Sequence, residues 1–301
     1  MKFSSKPPIK LRSTRCIGGR DKRNVFGIVQ RMNSLSFAIL FILIGAMVTT
    51  AAEPAKLPAK QKLRIYVSMG QSNMAGRGAV EKEDKTPHPR VLMFVETNGS
   101  WVPAVEPITK DDNKTHGVGP ALAFAKAMAE KDSSVTIGLV ATAEGGTPLK
   151  RWEKGADLYE RAVHRAKLAM KDGVLAGVIW HQGESNTGAK DRSDNYGERL
   201  AKMINDLRSD LGAPDLPFVV GELGEFLVIN RKKNPPLHRA NEVNDALRNL
   251  PKHVRLTGFV SAHGLTDKGD ELHFDSHSQR EFGRRYADVM WKLQRQSQGK
   301  N

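Results

Sequence analysis

The chain has 301 residues, 39% hydrophobic and 27% charged, an ordinary globular composition with enough apolar material for a large core. Its formal charge of +14 does not argue for a nucleic-acid partner: residues 1–31 carry nine Lys or Arg against one Asp, residues 32–52 carry no charge, and only +6 is left for the rest. The single cysteine, Cys16, sits in that basic segment, so the remainder has neither a disulfide framework nor a thiol nucleophile, and nucleophilic chemistry falls to serine.

In chain order, residues 1–31 read as a basic leader upstream of an alternative start at Met32, and residues 32–52 as a signal peptide. Ser34 to Ala52 runs without a charge, and Thr50-Ala51-Ala52 puts small residues where a signal peptidase cuts. A run of that length can also just span a bilayer, so a retained N-terminal anchor is the alternative. The expected location is secreted or periplasmic, with membrane association only if the segment is kept. With no cysteine at the cleavage point, a lipid-modified anchor is not expected. Residues 53–62 are rich in Pro and Lys and read as a linker.

Residues 63–295 alternate short aliphatic runs with amphipathic helical patterns, the form of a mostly parallel sheet covered on both faces. Five strands are expected, at Leu63–Ser68, Val135–Ala141, Val174–Trp180, Phe218–Leu223 and Val254–Ser261. Helical periodicity fits Pro120–Glu130, Leu158–Lys171, Tyr196–Leu211, His238–Leu250 and Ser278–Leu293. Val91–Val95 and Trp101–Pro103, with Asn98-Gly99 between them, read as an inserted hairpin. Residues 296–301 form a tail.

The chemistry-bearing segments follow the carboxyl ends of these strands, where open α/β sheets bind their ligands. Ser72, in a turn between Gly70 and Gly76, is the candidate nucleophile, although a serine there also suits a helix cap. His273 is the candidate base, chosen from nine histidines because Asp270 stands three residues before it; His277 beside Asp275 is its rival. Glu184 is too costly to bury alone, and is either the acid that orients His273, in competition with Asp270, or a scaffold for the loop around Ser72. A metal site on His181 and Glu184 lacks further ligands, and no metal or cofactor is expected. Oxyanion donors are sought in the amide of Ser72, in Gly145 and Gly146, and in an amide side chain, that of Gln182 or Asn73. Gln71, Asn73, Trp152 and Arg151 are candidates for substrate binding, Trp152 by stacking on a sugar. Arg151, Lys150 and Arg77 are also candidates for a substrate carboxylate.

Gly70-Gln71-Ser72-Asn73-Met74, Glu144-Gly145-Gly146-Thr147-Pro148-Leu149-Lys150-Arg151-Trp152, Trp180-His181-Gln182-Gly183-Glu184-Ser185-Asn186 and Asp270-Glu271-Leu272-His273 resemble the blocks of the sialate O-acetylesterase domain family. That family overlaps family 6 of the carbohydrate esterases, within the SGNH hydrolase superfamily, and the resemblance runs from Leu63 to Leu293. It implies a three-layer, flavodoxin-like α/β fold and metal-free removal of O-acetyl groups from carbohydrates. It also implies Ser72 as nucleophile, His273 as base and Asp270 or Glu184 as acid, with Ser72, a glycine of the second block and Gln182 around the oxyanion. The third block reads His-Gln-Gly-Glu where typical SGNH enzymes have Gly-x-Asn-Asp, which leaves the acid open between two residues.

The expected partner is an acetylated polysaccharide or glycan. A lipase-like or thioester hydrolase is the alternative within enzymes, but the loops 75–89 and 224–236 are rich in charge and proline where an acyl groove would be apolar. A non-catalytic carbohydrate-binding protein is the alternative outside them. Asn98 and Asn113 head glycosylation sequons, and residues 111–117 resemble a calcium loop only in their first residues, with His116 where the tight turn needs Gly.

Overall fold

The computed structural model describes residues 54–110, 116–188, 190–229 and 239–298. The expected leader, the expected signal or anchor segment, the Asn113 sequon and most of the calcium-like loop lie outside the described residues, and among the described residues no helix is long and apolar enough to cross a membrane.

Seven strands form one sheet: β1 Leu63–Gly70, β2 Val91–Val95, β3 Ser100–Pro103, β4 Thr136–Ala141, β5 Val174–His181, β6 Phe218–Gly221 and β7 Thr257–Val260, in the order β3-β2-β4-β1-β5-β6-β7. All neighbours are parallel except β2 and β3. The five expected strands are β1, β4, β5, β6 and β7. Counted among themselves they run 2-1-3-4-5, the flavodoxin-like order, whose switch point falls between β1 and β5. The hairpin is not an insertion but an extension of the sheet. Val91, Leu92 and Met93 pair with Ile137, Gly138 and Leu139, and Trp101 lies against Gly138, where a Cβ would come within 2.6 Å of its ring.

The longer helices are α2 Pro120–Lys131, α3 Asp157–Ala169, α4 Tyr196–Asp210, α6 Ala240–His253 and α7 Ser276–Gln298; α1 Ser72–Ala75 and α5 Phe226–Ile229 are single turns. α2 and α7 pack on each other over one face of the sheet, while α3, α4 and α6 cover the other, which completes three layers. With helices on both faces, β1 buries every residue but Arg64, as a central parallel strand must. α6 continues three residues beyond the expected stop at Leu250, through Pro251. A proline there removes a single intrahelical bond near the end, and Val254 N–H still closes on Leu250 O at 3.0 Å.

The stretch after α1 is fastened to α7 by Arg280, whose guanidinium meets Glu81 at 2.6 Å, Glu83 at 2.7 Å and buried Asp84 at 2.6 Å. Burial tends to raise the Asp84 carboxyl, but the Arg280 hydrogen bond and the Glu81 amide outweigh it and hold it below its ordinary 3.8. A depressed carboxyl stabilises the fold above its unfolded value and loses that effect as pH falls through its folded value. Asp84→Asn is therefore expected to cost about 2 kcal/mol in urea unfolding at neutral pH, and the gap from the parent should begin to narrow below pH 3.8 and close only below the lower value the carboxyl has in the fold.

Candidate active site

β1 and β5 end side by side at the switch point. At Gly70 (φ 131°) a Cβ would stand 2.0 Å from His181 O, so glycine is required for the strands to meet there, and Gln71 N–H donates to the same carbonyl at 2.8 Å. Ser72 then opens α1, where the first N–H groups have no intrahelical acceptor. Gly76 (φ 97°) closes the turn against Gly117, whose carbonyl would be 2.3 Å from a Cβ.

His273 arrives on the loop between β7 and α7. Asp267 Oδ2 accepts the N–H groups of Gly269 at 2.8 Å and Glu271 at 2.7 Å, and Lys268 N–H donates to His273 O at 2.9 Å. This folds the loop so tightly that Glu271 takes a left-handed backbone (φ 57°), a strain of about 1–3 kcal/mol. Within it Asp270 Oδ1 accepts the amides of Leu272 and His273 at 3.0 and 2.7 Å, and Oδ2 meets His273 Nδ1 at 2.8 Å. His273 Nε2 lies 3.0 Å from Ser72 Oγ. The serine is 5% exposed and the imidazole side chain 17%, so the pair is sheltered but reachable. Burial acts to raise the Asp270 carboxyl; the His273 amide and ring and the Leu272 amide more than offset it and hold it below its usual range.

Glu184 does not share this arrangement. It is buried beyond the end of β5, where Oε1 accepts Asn73 Nδ2 at 2.6 Å and meets His181 Nε2 at 3.2 Å. Burial would raise this carboxyl, yet the His181 charge and the bonds from His181 and Asn73 keep it below its ordinary value. Asp270, not Glu184, therefore faces Nδ1 of His273. His277 is exposed at the start of α7, and its neighbour Asp275 is occupied by Thr266 and Ser278.

The remaining expectations divide. Gly145 and Gly146 lie in the loop after β4, tied to the Ser72 turn by Glu144 N–H on Gly70 O at 2.9 Å. Gln182 is no oxyanion donor. It is completely buried, and its Nε2 donates to Gln71 Oε1 at 3.2 Å, Thr147 O at 3.1 Å and Asn186 Oδ1 at 2.8 Å. Nor do Gln71 and Asn73 face a substrate. The Gln71 side-chain oxygen also accepts Gly183 and Ser185 amides at 3.3 and 3.2 Å, and Asn73 is turned toward Glu184 and the His273 loop. Trp152 cannot stack on a sugar: it is fully buried, edge-on to Trp180 at 5.4 Å, with Nε1 on Thr147 Oγ1 at 3.1 Å. Arg151 is paired with Asp157, and Arg77 is buried with its guanidinium on Gly76 O at 2.8 Å; Lys150 is exposed.

Several supporting residues had no assignable role in the sequence. Asn186 joins the second and third blocks by accepting Leu149 N–H at 3.0 Å as well as Gln182, and Tyr196 O–H donates to Gln182 O at 2.8 Å. Arg161 binds Glu144 at 2.9 Å beside the glycine loop, and Gln279 donates to Asn73 O at 3.0 Å. Asn186 was legible as part of the third block; the others sit on helices at positions that read as ordinary amphipathic pattern. Among the described residues no group of three or more His, Cys, Asp or Glu is placed to hold a metal.

Residues 62–292 match the family described as carbohydrate esterase, sialic acid-specific acetylesterase. A protein of Arabidopsis thaliana named a probable carbohydrate esterase is 35% identical over 242 residues, spanning 73% of this chain and 87% of that protein. The crystal structure of an Arabidopsis thaliana protein superposes with a TM-score of 0.68 at 32% identity, covering 78% of this chain and 99% of that one. A carbohydrate acetylesterase from Xanthomonas citri shares the fold, with a TM-score of 0.56 at 19% identity over 76% of this chain and 56% of its own. The architecture, the serine beyond the first strand and the match over nearly all of the described chain lead to one assignment: the protein belongs to the carbohydrate esterase family of sialic acid-specific acetylesterases.

Proposed function

We propose that the protein is an exported serine esterase that removes O-acetyl groups from glycans through an acetyl-serine intermediate, without a metal. The observation that carries this reading is the unbroken line from Ser72 Oγ to His273 Nε2 at 3.0 Å and from His273 Nδ1 to Asp270 Oδ2 at 2.8 Å. Ser72 Oγ attacks the acetyl carbon while His273 Nε2 takes its proton, and Asp270 holds the ring in the tautomer that leaves Nε2 free to accept. The amide of Ser72, with one from the Gly145-Gly146 loop, receives the oxyanion. Collapse breaks the bond to the sugar oxygen, which leaves with the proton from His273. Water, deprotonated by the same nitrogen, then attacks acetyl-Ser72; the bond from Oγ to the acetyl carbon breaks, Oγ takes the proton back from His273, and acetate is released. Export rests on the charge-free run from Ser34 to Ala52.

Acetate release from a panel of O-acetylated glycans tests the substrate class and the metal together. Hydrolysis of at least one glycan, unchanged within about twofold by chelator, is the expected outcome, since nothing in the proposed steps calls on a Lewis acid. Loss of activity in chelator with recovery on adding a divalent ion would overturn the metal-free mechanism.

A further inference from the structure

Between nucleophile and base lies a side chain for which the reaction has no direct use. Asn73 follows Ser72, is 1% exposed, and is engaged at both ends of its amide with the loop that carries His273. Nδ2 donates to Leu272 O at 3.1 Å, and Oδ1 accepts the N–H of Phe274 at 3.0 Å, so the two bonds bracket His273 along the chain. The other Nδ2 proton goes to Glu184 Oε1 at 2.6 Å, and Glu184 Oε1 meets His181 Nε2 at 3.2 Å. From α7, Gln279 Nε2 donates to the Asn73 carbonyl at 3.0 Å and reaches Oδ1 at 3.4 Å.

We propose, taking Ser72 and His273 as nucleophile and base, that Asn73 is a positioning residue that sets the distance between them, and that the buried Glu184–His181 pair holds its amide in the one orientation able to do so. An amide has a donor end and an acceptor end. Turned over, Oδ1 would face both the Glu184 carboxylate and the Leu272 carbonyl, and Nδ2 would face the N–H of Phe274, leaving buried groups mismatched on both sides. An ionised carboxylate only accepts, so Glu184 rejects the reversed amide. This accounts for a costly buried anion at the end of a central strand when His273 draws its carboxylate from Asp270. Glu184 Oε2 and His181 Nδ1 are buried without a hydrogen-bond partner, so the engaged oxygen is the one that faces Asn73.

The test compares Asn73→Asp, the double variant Asn73→Asp with Glu184→Gln, Asn73→Ala and Ser72→Ala on 4-nitrophenyl acetate, with thermal unfolding and a pH profile of kcat/KM for each. Asn73→Asp sets an acceptor against Glu184 and should lose ~10²-fold in kcat with KM nearly unchanged, the size expected when the reacting groups slip by about an ångström. Glu184→Gln restores a donor there, so the double variant should recover at least ~10-fold over Asn73→Asp, a coupling that two independent structural lesions would not show. The acid limb of the profile should stay where the parent has it, because Asp270 still faces the ring. A double variant no better than Asn73→Asp, or a displaced acid limb, overturns the proposal. Should Asn73→Asp fail to fold, Asn73→Ala decides: a ~10²-fold fall in kcat supports the role and wild-type turnover ends it. Ser72→Ala separates the two levels, since an active Ser72→Ala defeats the nucleophile assignment itself, whereas an inactive one beside fully active Asn73 variants defeats only this proposal.

Discussion

Ser72→Ala is expected to lower kcat for 4-nitrophenyl acetate by ~10⁶-fold, the scale seen when the nucleophile of a serine hydrolase is removed. Among the described residues no other hydroxyl is placed against His273 Nε2 to substitute for it. The only cysteine of the chain, Cys16, lies outside the described residues, and His273 Nε2 is aimed at Ser72 Oγ from 3.0 Å. Removing a hydroxyl that is 5% exposed leaves a small gap and no buried charge, so the thermal transition should move little. KM should also move little, because the hydroxyl contributes to the transition state and hardly to ground-state binding. Substantial turnover in a folded Ser72→Ala protein would place the chemistry elsewhere.

Asp270→Asn should cost ~10⁴-fold in kcat, by the argument that an amide beside Nδ1 stabilises the tautomer with its proton on the wrong nitrogen. The fold gives this variant little reason to unfold, since the side chain is 36% exposed and Asn can still accept the Leu272 and His273 amides. Glu184→Gln should stay within about tenfold of the parent, because one glutamine oxygen can replace the single Glu184 oxygen that is engaged. Inverted sizes for the two variants would transfer the orienting role to Glu184. The Asp270 carboxyl is held below its usual range, so it stays ionised through weakly acidic conditions, and its protonation should not set the acid limb of activity. The comparison is read by kcat at neutral pH, with unfolding midpoints to show that each variant is native.

The sheet was legible because its central strands are buried on both faces and stand out as short aliphatic runs, and the active-site segments because each follows such a run. The hairpin's place was not. Whether Val91–Val95 joins β4 is decided by partners distant in sequence, with Trp101 over Gly138, and its own turn signal is compatible with either outcome. Spacing alone could not choose between Asp270 and Glu184. The choice depends on the loop closed by Asp267 and on the left-handed Glu271, which turn Asp270 back onto its own histidine, and on Asn73, which occupies Glu184. Gln71 and Asn73 miss their expected substrate-facing positions for a related reason. Within the single turn of α1 and its flanks, polarity does not reveal direction, so Gln71 and Asn73 look outward in sequence and are turned inward in the fold.

The central claim is that the acetyl group passes through Ser72. Rapid quenching of the enzyme during turnover of an acetyl ester, followed by peptide mass spectrometry, tests it most directly. An acetyl adduct on the peptide containing Ser72, formed as fast as the first product appears and lost as acetate is released, is the expected result. Turnover with no adduct on that peptide, or with the acetyl group on another residue, would contradict the account.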